Sequence, residues 1–220
     1  MVDRAARDEL VAAIERYLAE EITAFEFDEA IEGISERADD STVKDTVDAL
    51  WFIYDDVKDH KVHASKETWD WLQRTLLLLR SDGELEWTST RAYTPRQLVA
   101  ACGLVGLVAA AVVCGWTAPL ALAFAAAGGL TYLLMRQSRR DDRPDAWVVP
   151  FASVSEILKV RRSVPGFAKR RYPRHLAHRK LRSWPEELAM IVISHFVFGP
   201  LMLLAMSFPE STSTCRVVTP

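Results

Sequence analysis

The sequence predicts an all-α membrane protein: a small acidic helical domain, a transmembrane helical hairpin, a basic juxtamembrane segment and a third transmembrane helix. Residues 1–96 contain 12 Lys and Arg against 23 Asp and Glu, whereas residues 136–187 contain 14 against 6. Between these blocks, Leu98–Met135 carries no charged side chain. Such asymmetry indicates different environments along one chain. The predicted parts are residues 1–90, 97–135, 136–187, 188–208 and a tail, 209–220.

Four amphipathic helices are predicted in residues 1–90, because apolar residues recur there at helical spacing. The stripes are Leu10, Ile14, Tyr17 and Leu18; Phe27, Ile31 and Ile34; Val43, Val47, Leu50, Trp51, Tyr54 and Val57; and Trp69, Leu72, Leu76 and Leu79. Ser41 and Ser65 are the predicted N-caps of the third and fourth helices. We therefore expect a compact four-helix domain. Its acidic start lacks the apolar core of a signal peptide, so we expect it in the cytoplasm.

A polar cluster at residues 54–63 is the one candidate metal site. Asp56 and His60 are four residues apart, as are Asp59 and His63, so each pair could reach one ion if the third helix continued that far. Metal chemistry usually needs three protein ligands. We therefore favour charged side chains on a solvated helix end and predict neither a metal nor another cofactor. A membrane-anchored metal-dependent enzyme remains an alternative.

No catalytic motif is present. The chain has no GxSxG, P-loop, GxGxxG, HExxH, CxxC or EF-hand pattern and no internal repeat. Trp51, Trp69 and Trp71 are expected in the core of the acidic domain, although one of them turned outward would be a natural contact for a protein partner. The sequence therefore predicts a protein that is not an enzyme.

The hairpin prediction rests on length. As a single helix, Leu98–Met135 would extend about 57 Å, nearly twice the roughly 30 Å hydrocarbon core of a bilayer. Dividing it at Gly115–Pro119 gives Leu98–Gly115 and Ala118–Met135, each of 18 residues and close to one crossing. Pro119 suits the first turn of the second helix. A re-entrant hairpin within one leaflet and a soluble core hairpin are the alternatives.

The flanks of the hairpin indicate its orientation. Arg91 and Arg96 precede it and four more arginines follow it, whereas its tip has no Lys or Arg, so the positive-inside rule places both ends in the cytoplasm. Small residues at four-residue spacing would let helices approach closely in lipid and predict a possible homo-oligomer. These stripes are Gly106, Ala110 and Cys114 in the first helix, and Ala121, Ala125 and Gly129 in the second.

The basic segment interleaves Lys and Arg with apolar and aromatic residues. Next to a membrane such a stretch adheres to anionic lipid headgroups, each cation contributing about 1 kcal/mol. Nucleic-acid binding is disfavoured, because no known binding motif is present and the chain is acidic overall. A further possibility is that the segment docks on the acidic domain itself, a contact that salt should weaken. The predicted membrane-surface residues are Arg136, Arg139, Arg140, Lys159, Arg161, Arg162, Lys169, Arg170 and Arg171.

The last apolar run, Leu188–Phe208, contains His195 as its one ionisable group. Its length predicts a third crossing kinked at Pro200, which would place Cys215 and the tail outside. A helix lying in the membrane interface is the alternative. We expect Ser194 or His195 to make a structural hydrogen bond to the hairpin.

The leading functional hypothesis is a non-enzymatic, multi-pass membrane protein. Its acidic helical domain would bind an unknown protein partner, while the hairpin and the basic segment would hold it at the lipid bilayer. A subunit of a small channel or transporter is a further alternative. Its signature would be oligomerisation through the small-residue stripes.

Overall fold

The protein is mostly helical, as predicted, and divides into two compact units. The computed structural model describes residues 2–55, 57–93, 95–114, 118–141 and 148–218. Unit 1 comprises residues 1–88, 145–181 and 214–220, and unit 2 comprises residues 89–144 and 182–213. Each unit is therefore assembled from stretches that are distant in the sequence.

Four helices form the main part of unit 1: α1 (Arg4–Leu18), α2 (Ala24–Arg37), α3 (Ser41–Leu50) and α4 (Lys66–Leu79). Each begins at a side chain that accepts a hydrogen bond from a backbone N–H two or three residues further on, which satisfies a donor left free by the helix. The predicted cap Ser65 is confirmed, since it accepts from Thr68. Ser41 is not a cap, because Asp40 takes that role and accepts from Thr42.

The core of unit 1 is aliphatic and aromatic. Tyr17 of α1 and Phe27 of α2 stack with their ring centroids 4.6 Å apart. Packing of α1 against α2, α3 and α4 buries the predicted stripes, because each helix has one apolar face that must leave water. The largest buried side chains include Leu10, Ile14, Ile31, Leu50, Trp69, Leu72 and Leu76.

The third helix is shorter than predicted. It ends at Leu50 and is followed by a 3-10 turn, Trp51–Ile53, after which Tyr54 is extended. The carboxylate of Asp55 accepts hydrogen bonds from the N–H groups of Val57 and Lys58. A side chain bonded to its own backbone in this way competes with helix formation. The predicted continuation of the helical stripe to Val57 is therefore wrong.

A buried ion pair joins α1 to the start of α3. The Nε of Arg7 lies 2.6 Å from Asp40, and its Nη1 donates to the carbonyls of Ser81 and Gly83 at 2.9 and 2.7 Å. Both side chains are almost fully buried. Although burial raises the pKa of Asp40, the hydrogen bonds and charge of Arg7 and backbone N–H bonds lower it overall. Asp40 thus remains a carboxylate.

The basic segment packs on the acidic helices. Helix α7 (Val154–Ser163) is followed by residues 164–181, here called the strap, which contain a 3-10 turn at Arg174–His178. Leu176 of the strap is buried in the core of the four helices. Of the alternatives for this segment, docking on the acidic domain is the one observed. A prediction limited to residues 1–90 omits this part of unit 1.

Two strands, which the sequence analysis did not predict, pair in a small sheet: β1 (Glu84–Ala92) and β2 (Glu210–Val218). Val217 of β2 is buried in unit 1, in a second apolar cluster. The other buried members of this cluster are Leu77, Leu78, Leu85, Phe151 and Val160. The tail is therefore part of the unit that contains the acidic domain.

Unit 2 contains the two predicted hairpin helices, α5 (Pro95–Cys114) and α6 (Ala118–Asp141), which pack against each other. The predicted turn at residues 115–117 lies outside the described residues. The last apolar run forms α8 (Trp184–Val192), a π-helical turn (Ile193–Val197) and α9 (Gly199–Met206). The buried side chains between α5, α6 and α9 are Ala100, Leu107, Ala127, Leu134 and Leu203.

Small residues do allow close helix packing in unit 2, but not along the predicted stripes. A Cβ added to Gly199 would lie 3.1 Å from the Cα of Gly128 in α6, so these two backbones touch. A Cβ on Gly103 would lie 2.7 Å from Leu130. A Cβ added to Gly106 or to Gly129 would meet no atom within 4 Å. The contacts therefore use neighbouring small residues, and association of copies through the predicted stripes stays a prediction.

Candidate functional site

Unit 2 exposes many large apolar side chains. Residues Pro95–Val113 of α5 form a helix long and apolar enough to cross a membrane, and most of it is exposed. Apolar surface of this extent on a folded protein marks contact with lipid or with another protein. The exposed residues are Leu98, Val99, Val105, Val108, Val112 and Val113 of α5, and Leu122 and Leu133 of α6.

The other apolar helices are less clear candidates for crossing. The described apolar part of α6, Leu122–Met135, is shorter than a crossing requires. Helices α8 and α9 are long enough only when taken together, and they are bent by 59° at the break between them. In the described part of the chain, one helix, or two if the bent pair is counted, can therefore cross a membrane by length and composition.

Ser194 and His195 do not make the predicted hydrogen bond to the hairpin among the described contacts. The Ser194 hydroxyl donates to the carbonyl of Ile191 in its own helix, and His195 Nδ1 lies 2.8 Å from that hydroxyl. His195 instead meets α6 through its ring, which lies edge-on to Tyr132 with the centroids 5.4 Å apart. The contact with the hairpin is therefore aromatic rather than a hydrogen bond.

The surface of unit 1 carries an aromatic patch, defined here as Phe25, Trp51, Phe52 and Val57. Phe52 is 80% exposed and Trp51 is 51% exposed, and their rings meet edge-to-face at 5.3 Å. Trp69 is buried and Trp71 is half-buried. Trp51 is thus the tryptophan that turns outward, and the 3-10 turn after α3 is what directs it there.

Hydrogen bonds hold the segment that follows the Trp51–Ile53 turn against α2. The backbone N–H of Phe25 donates to the Asp59 carboxylate, and that of Ala24 donates to the carbonyl of His60. The Tyr54 hydroxyl donates to Asp28. Burial, together with the adjacent Asp28, raises the pKa of Tyr54, so this hydroxyl keeps its proton. The patch is therefore presented on a fixed backbone, which reduces the entropy that a partner would have to remove on binding.

The surroundings of the patch are acidic. Helix α2, which carries Phe25, contains five carboxylates and one cation. Unit 1 as a whole has 20 Lys and Arg against 25 Asp and Glu even with the basic strap included, a net charge of −5. An exposed aromatic pair within a field of negative charge favours a partner with a basic surface and disfavours anionic lipid.

The Asp and His cluster at residues 54–63 does not form a metal site in the described residues. Asp56 lies outside them, and no group of three His, Cys, Asp or Glu that could hold a metal ion occurs within them. His60 Nε2 accepts from the Asp55 N–H, so Nδ1 carries the proton and donates to the Lys61 carbonyl. His63 Nε2 bonds to the Arg179 carbonyl. Because the helix ends at Leu50, the helical spacing on which the Asp and His pairs were predicted does not extend to residues 59–63.

The predicted membrane-surface cations divide into three groups. Lys169 Nζ lies 2.7 Å from Asp70, and the guanidinium of Arg170 lies 3.9 Å from Glu15, so both face the acidic helices. Arg171 and the α7 residues Lys159, Arg161 and Arg162 are exposed. Arg136, Arg139 and Arg140 lie in the C-terminal part of α6, which extends to Asp141.

The strap is held in unit 1 by directed hydrogen bonds of its backbone and of the Arg179 side chain, a feature that charge patterns could not reveal. Trp69 Nε1 donates to the Arg170 carbonyl, and the Arg170 N–H donates to Gln73. At the other end, Arg179 donates to the Val62 carbonyl at 2.6 Å and pairs with Glu20 at 2.8 Å. The charge asymmetry of the sequence indicated that the acidic helices attract the basic segment, but these directed bonds fix the position of the strap.

Comparisons with protein-family models, with curated proteins and with solved structures gave no match to this chain.

Proposed function

We propose that the protein is a non-enzymatic membrane anchor that binds a protein partner through the aromatic patch of unit 1. In this proposal unit 2 is embedded in the bilayer as a multi-pass element and unit 1 lies at the cytoplasmic face. The observation that carries the proposal is the exposure of α5: most of this membrane-length helix is exposed, although one side of it packs on α6 and α9. Exposure of such an apolar surface to water would be strongly unfavourable.

The proposed orientation follows from the charges that flank α5 and α6. Arginines occur before the first of these helices and in the last turns of the second, whereas residues 115–119 between them contain none. Positive charge is retained on the cytoplasmic side. Unit 1, which contains the chain on both sides of the hairpin, would then lie in the cytoplasm.

The proposed partner has an apolar pocket within a basic rim. Trp51 and Phe52 supply the kind of aromatic anchor that dominates binding energy at protein interfaces. The carboxylates around them would steer a basic surface and raise the association rate. The exposed cations of α7 would in turn contact anionic lipid headgroups.

Membrane anchoring is tested by extraction of the full-length protein. After cell breakage it should sediment with membranes, resist alkaline carbonate and enter solution only with detergent. Recovery of the protein in the soluble fraction without detergent would overturn the anchor.

Partner binding is tested by placing a photo-crosslinking amino acid at position 52 of the full-length protein in cells. A control places it at position 37, since Arg37 is also exposed but lies on a charged surface. A defined adduct should form from position 52, should be lost in a Trp51→Ala variant and should weaken at high salt. Equal adducts from both positions, or an adduct indifferent to Trp51→Ala, would contradict the proposed binding surface.

A further inference from the structure

Three separated stretches of the chain share the core of unit 1. Val217 of β2 is 2% exposed and belongs to the same apolar cluster as Leu85 of β1 and Phe151 of the middle stretch. The tail packs closely, since a Cβ added to Gly83 would lie 3.0 Å from Val217 Cγ1. Residues 1–88, 145–181 and 214–220 therefore lie in one aqueous environment.

This sharing restricts the path of the chain through a bilayer. Every full crossing takes the polypeptide from one side to the other. Because the chain leaves unit 1 and returns to it twice, residues 89–144 and residues 182–213 must each cross an even number of times. The hairpin of α5 and α6 satisfies this condition with two crossings, but one crossing by α8 and α9 does not.

The second stretch outside unit 1, residues 182–213, is too short to cross the membrane twice. Each crossing requires about 17 residues or more, and a turn would be needed between them, whereas Arg182–Ser213 supplies fewer than that total. Helices α8 and α9 contain 9 and 8 residues, and each is about half as long as the roughly 30 Å hydrocarbon core. Residues 182–213 therefore do not cross the membrane completely.

The surface of α8 nevertheless requires an apolar environment. Every residue from Trp184 to Ile193 is exposed, and the large apolar residues among them face all directions around the helix. A helix that is apolar all round is found in a protein core or in lipid. The described residues provide no such core around α8. The charged residues of the helix, Glu186 and Glu187, both lie in its first turn.

The geometry of the break permits a shallow path through one leaflet, because two arms that differ in direction by 59° can each lie at about half that angle to the membrane plane. The chain changes direction by 59° between the α8 arm and α9, and a π-helical turn occupies the bend. Gly199 at the start of α9 rests on the backbone of Gly128 in α6, so the bend is fixed to the hairpin within unit 2.

We infer that residues 184–208 form a re-entrant wedge, which enters the leaflet adjoining unit 1, contacts its acyl chains and returns to the same side. This inference rests on the proposed membrane anchoring. It replaces the third crossing with an element whose binding partner is the apolar interior of a single leaflet.

Sidedness in the full-length protein tests the wedge. In a background with Cys102, Cys114 and Cys215 replaced by Ser, single cysteines are introduced as Arg37→Cys, Val218→Cys and Thr117→Cys. A membrane-impermeant maleimide added to intact cells should label Thr117→Cys, while Arg37→Cys and Val218→Cys should respond alike and be labelled only after permeabilisation. Labelling of Val218→Cys, but not of Arg37→Cys, in intact cells would show a third crossing and overturn the wedge, with the anchor intact.

Depth in the membrane is the second measurement. A nitroxide attached to Phe198→Cys in the protein reconstituted in lipid vesicles should be relaxed by oxygen more than by a water-soluble nickel reagent, and should lie no deeper than about 15 Å, half the hydrocarbon core. Strong relaxation by the nickel reagent would place the bend in water and overturn the wedge. Release of the whole protein by carbonate would instead overturn the anchor, and the wedge with it.

Discussion

At the scale of single residues, the Arg7 and Asp40 pair has the greatest effect on the stability of unit 1. Its geometry is bidentate, and Arg7 also occupies two carbonyls at the end of α4. A buried ion pair adds little net stability compared with an apolar replacement of both partners, but removal of one partner leaves the other charged and unpaired. The sequence did not single out either residue, since both resemble ordinary surface charges of an acidic helix.

Arg7→Ala should lower the free energy of unfolding of unit 1 by about 3–5 kcal/mol, because Asp40 would remain buried without its partner. The measurement is thermal unfolding of the full-length protein in mild detergent, followed by tryptophan near-ultraviolet circular dichroism. Arg37→Ala is the matched control, since its pair with Glu9 is exposed and surface pairs contribute about 1 kcal/mol or less. Equal effects of the two variants would contradict this role for Arg7.

The lowered pKa of Asp40 predicts a loss of stability in acid. The unfolded chain, in which an Asp has a pKa of about 3.9, binds the proton before the folded protein does. The stabilisation is therefore complete above that value and is lost as the pH falls through the lower folded pKa. Asp40→Asn should be less stable than the wild type at pH 7 and should lose less stability between pH 5 and pH 3. Asp39→Asn, at an exposed position, should follow the wild-type profile.

At the scale of elements, sequence periodicity predicted the helices well and their connections poorly. The stripes of α1, α2 and α4 are buried as expected, because a 3.6-residue repeat forces one face into the core. Beyond Leu50, the repeat continued in the sequence by coincidence, and the Asp55 side chain bonded its own backbone instead. The outward position of Trp51 was therefore not predicted by periodicity, and the helical spacing assumed for the Asp and His cluster ends with the same helix.

The strap should loosen when its Arg179 anchor is removed. Arg179→Ala eliminates a charged hydrogen bond to Val62 and the pair with Glu20, and a loss of about 1.4 kcal/mol corresponds to a tenfold change in the population of the open form. Chymotrypsin cleavage after Phe167, which is half-buried on the helices, should accelerate about tenfold. Arg171→Ala, which removes an exposed side chain, should leave the rate unchanged. An unaltered rate in Arg179→Ala would show that the strap is held elsewhere.

At the scale of the whole molecule, composition predicted the sequence of environments but not which distant stretches would meet. Charge blocks reveal that an acidic and a basic region attract each other, whereas burial of Leu176 and Val217 depends on shape that a linear pattern does not contain. Strand pairing between residues more than 100 positions apart carries no local signal of its partner. The predicted division assigned each contiguous segment to its own part, whereas each observed unit combines segments that are distant in the sequence.

A fragment of residues 1–90 should be markedly less stable than unit 1 in the intact protein. It lacks Leu176, Phe151 and Val217, each of which is buried against the four helices or the end of α4. Burial of one large apolar side chain contributes about 1.5–3 kcal/mol, and a small domain has only about 5–15 kcal/mol in total. Urea unfolding of the fragment, compared with unit 1 in the detergent-solubilised protein, should show a lower midpoint. Equal midpoints would show that the four helices suffice.

The discontinuous make-up of unit 1 also sets the order of events during synthesis. Ribosomes release the α1–α4 region first, yet the apolar cluster that contains Val217 is complete only after residue 217 has been translated. In the membrane anchor proposed above, the hydrophobic helices would enter the bilayer before that point. Maturation of unit 1 would then be coupled to insertion, and a chain that stalls or misinserts would leave the cluster uncovered, a state that quality-control proteases recognise.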